Sequence, residues 1–232
     1  MIDFHSHILP KLDDGSKSVD ESCEMLRRLS AQGITKVVAT PHFYANNESV
    51  DEFLARRRAS YEALKPQLTE DMPEIVLGAE VKYYRGISRL EDLKKLCIED
   101  SDLLLLEMPM CKWSEYIVKE VIDMTGFGNI VTVLAHIDRY LKLQNSKMWN
   151  RLFEADLLMQ VNSEFFTSFF TRRKALKMLY NQNVQLIGSD CHNLTDRSPK
   201  IGDALTYIKE KIGQDFIKFL NDYENSLFNS NR

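Results

Sequence analysis

Seven short apolar runs, separated by stretches of helical periodicity, constrain this chain more than any other feature. They are Ile2-Asp3-Phe4, Lys36 to Thr40, Ile75 to Ala79, Leu103 to Leu106, Ile130 to Ala135, Leu157 to Val161 and Val184 to Ser189. Most are apolar throughout instead of alternating, as strands are when helices cover them outside and side chains pack within. Between them, Ser18 to Gln32 reads as a helix with Val19, Cys23, Leu26 and Leu29 on one face and Gly33 as terminator. A second helix opens at Ser49, where Ser49 and Glu52 fit a capping box, and runs to about Pro66. Further helices are expected near Leu90 to Cys97, over Glu115 to Thr125 (stopped by Gly126 and Gly128), Lys147 to Glu154, Arg172 to Asn181, Ile201 to Ile212 and Phe216 to Phe228. The expected fold class is α/β: a distorted seven-stranded β/α barrel, TIM-like, as one domain over residues 1–232. An open doubly wound sheet is the alternative.

What ends each run points to chemistry. His5 and His7 close the first, His42 follows the second, His136 the fifth, and Asp190 and His192 the last. Two more runs end in Glu80 and Glu107. In a parallel barrel these positions converge on one rim, where active sites of that architecture are built. All five histidines fall there and none elsewhere. In an extended segment alternate side chains share a face, so His5 and His7 can reach one ion. Eight or nine imidazole and carboxylate ligands exceed one tetrahedral site, so two or three divalent ions are implied, with Glu80 able to bridge. Asp13 and Asp14, in an acidic turn, are candidates for one more ligand. Such a cluster activates water and offsets phosphoryl charge. Arg139 and Arg197 each follow a ligand and offer planar forks suited to phosphate oxygens.

Composition limits the alternatives. The chain of 232 residues carries a formal net charge of -4, which gives no reason to expect nucleic acid as the main partner. No stretch approaches the roughly 18 apolar residues of a membrane span, and no signal-peptide pattern opens the chain, so a cytoplasmic location is expected. The four cysteines are scattered, and no disulfide framework is expected. Cys191 to Arg197 matches the C-x5-R spacing of cysteine-dependent phosphatases, but that loop holds no glycine, and Asp190 and Asp196 disfavour a thiolate. Arg56-Arg57-Arg58 reads as a solvated helix face, and aromatics after several runs, among them Phe43-Tyr44 and Phe169-Phe170, are candidates to wall a site.

The blocks MIDFHSHILPKLDDGSKSVDES, VVATPHF, GAE, LLLLEMP, AHIDRY and GSDCHN, in that order, resemble the PHP (polymerase and histidinol phosphatase) superfamily. The nearest likeness is to its bacterial metal-dependent protein-tyrosine phosphatases of capsule and exopolysaccharide synthesis. The resemblance implies a PHP-fold barrel with a trinuclear centre, most often Mn2+, with Fe, Zn or Mg as alternatives. It implies one ion held by His5, His7, Glu80 and Asp190, a second by Glu80, Glu107 and His136, and a third by His42 and His192 with Asp14. Arg139 and Arg197 match the phosphate-binding arginines, while Ile137 and Asp138 depart from the usual proline and glutamate. It further implies hydrolysis of phosphotyrosine by metal-activated hydroxide, on the tyrosine-rich tail of a bacterial kinase that regulates polysaccharide export. A small-molecule phosphoesterase of the histidinol-phosphatase type is the alternative. A metal-dependent amidohydrolase lacks its usual lysine here, and a regulatory module with a vestigial centre would have lost ligands.

Overall fold

Gly78 falls inside an expected strand, and Pro41 separates the end of another from the short strand that follows it. Proline has no N–H to give to a ladder, and the Gly78 carbonyl is taken by Arg57 Nη1 at 2.7 Å. The computed structural model, which describes residues 1–125 and 130–228, therefore contains nine short strands where seven are expected. They are β1 (Ile2–Ser6), β2 (Lys36–Ala39), β3 (His42–Phe43), β4 (Glu74–Leu77), β5 (Glu80–Lys82), β6 (Leu103–Glu107), β7 (Val131–Leu134), β8 (Leu158–Asn162) and β9 (Leu186–Gly188). One sheet has the order β1-β2-β4 and the other β3-β5-β6-β7-β8-β9, and every pairing is parallel. The six-stranded sheet curls as a half-barrel. Gly78 N donates to Ala39 O and Glu80 N to Pro41 O, across both interruptions. At the far edge β9 meets β1: Asp190 N donates to His5 O at 2.7 Å, His7 N to Cys191 O at 2.9 Å, and Ser6 bridges Cys191.

Two clusters of buried side chains divide the strands by period two. Ile2 and Phe4 of β1 pack with Val38, Val76, Leu105, Val133 and Leu186, each from a different strand. Their neighbours Val37, Leu104, Leu106, Leu134 and Ile187 face the other way, into the larger core beneath the helices.

The helices are α1 (Val19–Ala31), α2 (Val50–Leu64), α3 (Glu115–Thr125), α4 (Ser146–Phe153), α5 (Glu164–Thr167), α6 (Arg172–Tyr180), α7 (Gly202–Ile212) and α8 (Gln214–Ser226). Ser18 caps α1, and Ser49 with Glu52 forms the expected capping box on α2. The stop expected at Gly126 and Gly128 lies outside the described residues. The helix expected near Leu90 to Cys97 is instead a pair of 3-10 turns, Ile87–Arg89 and Leu93–Leu96. The arginine run is not a uniformly solvated face: Arg57 is buried against Gly78 O, and Arg56 binds Glu48 and Leu12 O. The four cysteines are free, as expected. No helix among the described residues is long and apolar enough to cross a membrane.

Candidate metal centre

β1 delivers His5 and His7 to one face, and the backbone is held by Asp3, whose Oδ1 accepts from His5 N and from Ser189 N of the adjoining chain. The two Nε2 atoms lie 3.2 Å apart. Glu80 Oε2 is 3.3 Å from each, and Asp190 Oδ1 is 3.7 and 3.6 Å away. Ligands bonded tetrahedrally at about 2.1 Å are separated by about 3.4 Å, so these spacings suit one ion. Glu80 turns its second oxygen to His136 Nε2 at 2.8 Å, the arrangement of a bridging carboxylate.

The parallel register sets His42 directly beside Glu80, and His42 Nδ1 lies 2.9 Å from Glu80 Oε2. Asp14 Oδ1 reaches both His42 Nε2 (3.3 Å) and His192 Nε2 (3.4 Å), while the His7 and His192 rings are 3.8 Å apart. Among the described residues, the metal-capable groups are His7-Asp14-His42-His192, His5-His7-Asp190, His5-Glu80-His136 and His42-Glu80-Glu107. Together they contain the nine expected ligands and no other residue. The partition differs from the expected one at Glu107, which joins His42 and Glu80 instead of His136. Its register partner is Lys82, whose Nζ lies 2.9 Å from Glu107 Oε2 and draws the carboxylate that way. His7 also serves two groups, not one.

The donor chemistry fits divalent ions. The cluster mixes imidazoles with carboxylates, and His192 Nε2 is buried without a hydrogen-bond partner. Burial alone would lower His7, but its hydrogen bonds to Asp13 and Glu80 raise it to about 10. His192 is pushed down to about 4 by burial and by neighbouring His7. Burial opposes ionisation of Glu80, yet His5, His136 and His42 hold it well below the carboxylate range; Asp190 is held down in the same way by His5, His7 and Arg139. Their histidine and arginine neighbours thus favour the charged forms of Glu80 and Asp190, and an arriving cation competes with the proton on His7.

Arg139 and Arg197 do not pair with their sequence neighbours Asp138 and Asp196. Both reach Asp190, Arg197 Nη2 at 2.7 Å, and Arg197 Nη1 lies 3.9 Å from Asp14. Asp138 instead accepts from Asn162 N. Tyr44 packs on His42 with ring centroids 5.3 Å apart, beside an open cleft of about 870 Å³ that also touches Asp14, Glu52 and Arg56.

A sequence profile described as "Capsular polysaccharide synthesis, CpsB/CapC" matches residues 1–227. The chain belongs to the CpsB/CapC family. It is 30% identical over 223 residues to tyrosine-protein phosphatase YwqE of Bacillus subtilis, covering 93% of this chain and 86% of that one. It is 31% identical over 224 residues to tyrosine-protein phosphatase CpsB of Streptococcus pneumoniae, covering 92% and 91%. A crystal structure from work on YwqE and CpsB, described as metal-dependent tyrosine phosphatases, superposes with a TM-score of 0.83 at 22% identity, covering 100% of this chain and 96% of that one. That likeness establishes the fold.

Asp13, a candidate ligand from the sequence, lies behind His7 and outside the metal-capable groups: Oδ2 is 2.7 Å from His7 Nδ1 and also accepts from His42 N, which turns His7 Nε2 inward. Around the nine side chains, this CpsB/CapC chain also places residues that the sequence analysis did not single out. On β8, Gln160 Oε1 accepts from His136 N at 2.6 Å and lies 3.3 Å from His5 Nδ1, while Asn162 Nδ2 donates to Asp190 Oδ2. Two buried amides in an otherwise apolar run were the available signal, since such groups require partners. His136 and Asp190 both take left-handed backbone (φ 32° and 52°), which is costly for residues other than glycine. Cys191 is buried, and burial followed by the Asp3 charge pushes its thiol far above the usual range. It is no candidate nucleophile.

Proposed function

We propose that this chain is a metal-dependent protein-tyrosine phosphatase. The observation that carries the reading is the gathering of nine ligand side chains and two arginines at one mouth, in a family whose curated relatives are named tyrosine-protein phosphatases. His5, His7, Asp14, His42, Glu80, Glu107, His136, Asp190 and His192 would hold two or three divalent ions, manganese foremost. When bound, such ions supply a nucleophilic water at neutral pH and offset phosphoryl charge. Arg139 and Arg197 are assigned to the phosphoryl oxygens, which their bidentate geometry suits. Tyr44 and the cleft beside it are assigned to the phenyl ring of the substrate. Phenolate leaves readily, so little acid assistance is required of the chain.

The finer reading of the fold is one PHP domain over residues 1–232, with β2 and β3 as one interrupted strand and β4 and β5 as another. Seven strand paths then close between β9 and β1. The hydrogen bonds across Pro41 and Gly78, the seam at Cys191 and the shared inner cluster support it. The proposed substrate is the phosphorylated tyrosine-rich tail of a bacterial kinase of capsule or exopolysaccharide synthesis, met in the cytoplasm. The names of the relatives weigh against the small-molecule alternative.

The test is phosphate release from a phosphotyrosine peptide and from histidinol phosphate by the manganese-loaded protein. Release from the peptide should vanish on chelation, survive Cys191→Ser and fall on the order of 100-fold in Arg139→Ala. Release that survives chelation and dies with Cys191→Ser would overturn the reading.

A further inference from the structure

A few residues beyond Asn162, the loop between α5 and α6 carries Phe169 and Phe170, which are 74% and 92% exposed. They are the most exposed large apolar side chains among the described residues. Their rings meet edge to face, 5.6 Å apart, so the two phenyl groups stand together as one exposed apolar patch. From Phe165 to Ser189 the sequence holds no acidic residue, yet it holds Arg172, Arg173, Lys174 and Lys177. Arg172 lies over the Phe169 ring at 5.3 Å and the Tyr207 ring at 5.6 Å. Next to this patch a cleft of about 450 Å³ between α6 and α7 is lined by Arg173, Lys177, Lys211, Leu176, Tyr180 and Ile212. The exposed acids of α7, Asp203 and Glu210, form no ion pair with these cations among the described residues.

In a chain of net charge -4, a segment without acids that carries four cations beside two bare phenyl rings has a specific complement. Aromatic side chains enter the boundary between headgroups and acyl chains, and Lys and Arg beside them attract anionic lipid. We infer that Phe169-Phe170 and the Arg173-Lys177-Lys211 cleft form a peripheral docking site for an anionic phospholipid surface. The rings supply insertion, the cleft takes a headgroup phosphate, and the unpaired cations supply attraction. Because the loop leaves β8 just past Asn162, at the end where that strand touches Asp190, docking would bring the metal centre's face toward the membrane. The inference does not depend on the phosphatase reading.

Co-sedimentation of the full chain with vesicles tests it, using phosphatidylcholine alone and an equal mixture with phosphatidylglycerol. The expected result is binding to the mixed vesicles only, weakened by salt. Phe169→Ser/Phe170→Ser should weaken it on the order of tenfold or more, and Arg173→Glu/Lys177→Glu by at least about fivefold for each cation removed. Both variants should keep their melting temperature. In Phe170→Trp, indole emission should shift to the blue on mixing with anionic vesicles. Absence of sedimentation at low salt, or sedimentation untouched by the serine pair, would overturn the inference. Binding to an acidic Glu-Tyr copolymer but to no vesicle would overturn it in favour of a protein partner.

Discussion

A methyl group at position 188 has nowhere to go. A Cβ on Gly188 would stand 2.5 Å from His5 Cβ and 2.8 Å from Gln160 Nε2, so strand β9 can lie this close to β1 only without a side chain there. Gly188→Ala is expected to destabilise the chain by about 1–3 kcal/mol and to displace His5, read as a lower melting temperature together with weaker metal binding. Gln160 acts at one remove from the cluster, fixing the His136 backbone and facing the back of His5. Gln160→Ala should lower metal affinity 10- to 100-fold, roughly, as loss of an outer partner does. Calorimetric titration would measure it, and Gln160→Glu, which keeps the acceptor, should recover part of the loss. The gathering of the candidate ligands was legible because most of these imidazoles and carboxylates end apolar runs, Asp14 in its turn excepted. Their partition was not: the pull of Lys82 on Glu107 follows from strand register, which no single run encodes. Nor could the left-handed backbone at His136 and Asp190 be read from the sequence, since Asp and His adopt it more readily than most residues but still only occasionally.

At the level of elements, α8 reaches β1 at the end away from the metal centre, where Glu224 Oε2 accepts from Ile2 N at 3.0 Å. Burial raises this carboxyl to about 8, against the hydrogen bond from Ile2 and the charge of the chain's amino group, with Asp3 reinforcing the rise. Asp3 itself is raised to about 6, chiefly by burial. A carboxyl whose folded value lies above its unfolded one contributes fully below the unfolded value and loses that contribution as pH rises through the folded one. Stability should therefore decline between about pH 4.5 and pH 8. Glu224→Gln keeps the acceptor and removes the charge, so it should melt higher than the parent at pH 9 and nearly equal it at pH 5. A constant difference across that range would refute the assignment. Periodicity and capping chemistry placed most helices to within a few residues, because Ser18, Ser49 and Glu52 act locally. The cuts at Pro41 and Gly78 were less visible: the first has a local signature, whereas the second involves Arg57 arriving from α2.

For the whole molecule, the candidate ligands bring β1, β3, β5, β6 and the segments after β7 and β9 to one point. Ions that bind only this assembled arrangement add to its stability by mass action, about 4 kcal/mol when free metal exceeds the dissociation constant a thousandfold. Chelation should lower the melting temperature by roughly 10 °C in a chain of this length, and a second metal addition should restore it. The order of the ligands along the chain has a consequence for biosynthesis. Two of the four metal-capable groups include Asp190 or His192, and the strand before them must close against β1. A nascent chain emerging from the ribosome therefore displays His5 and His7 long before their last companions exist. Any ion that needs the whole candidate cluster can therefore be held only after β9 has been made and has closed against β1.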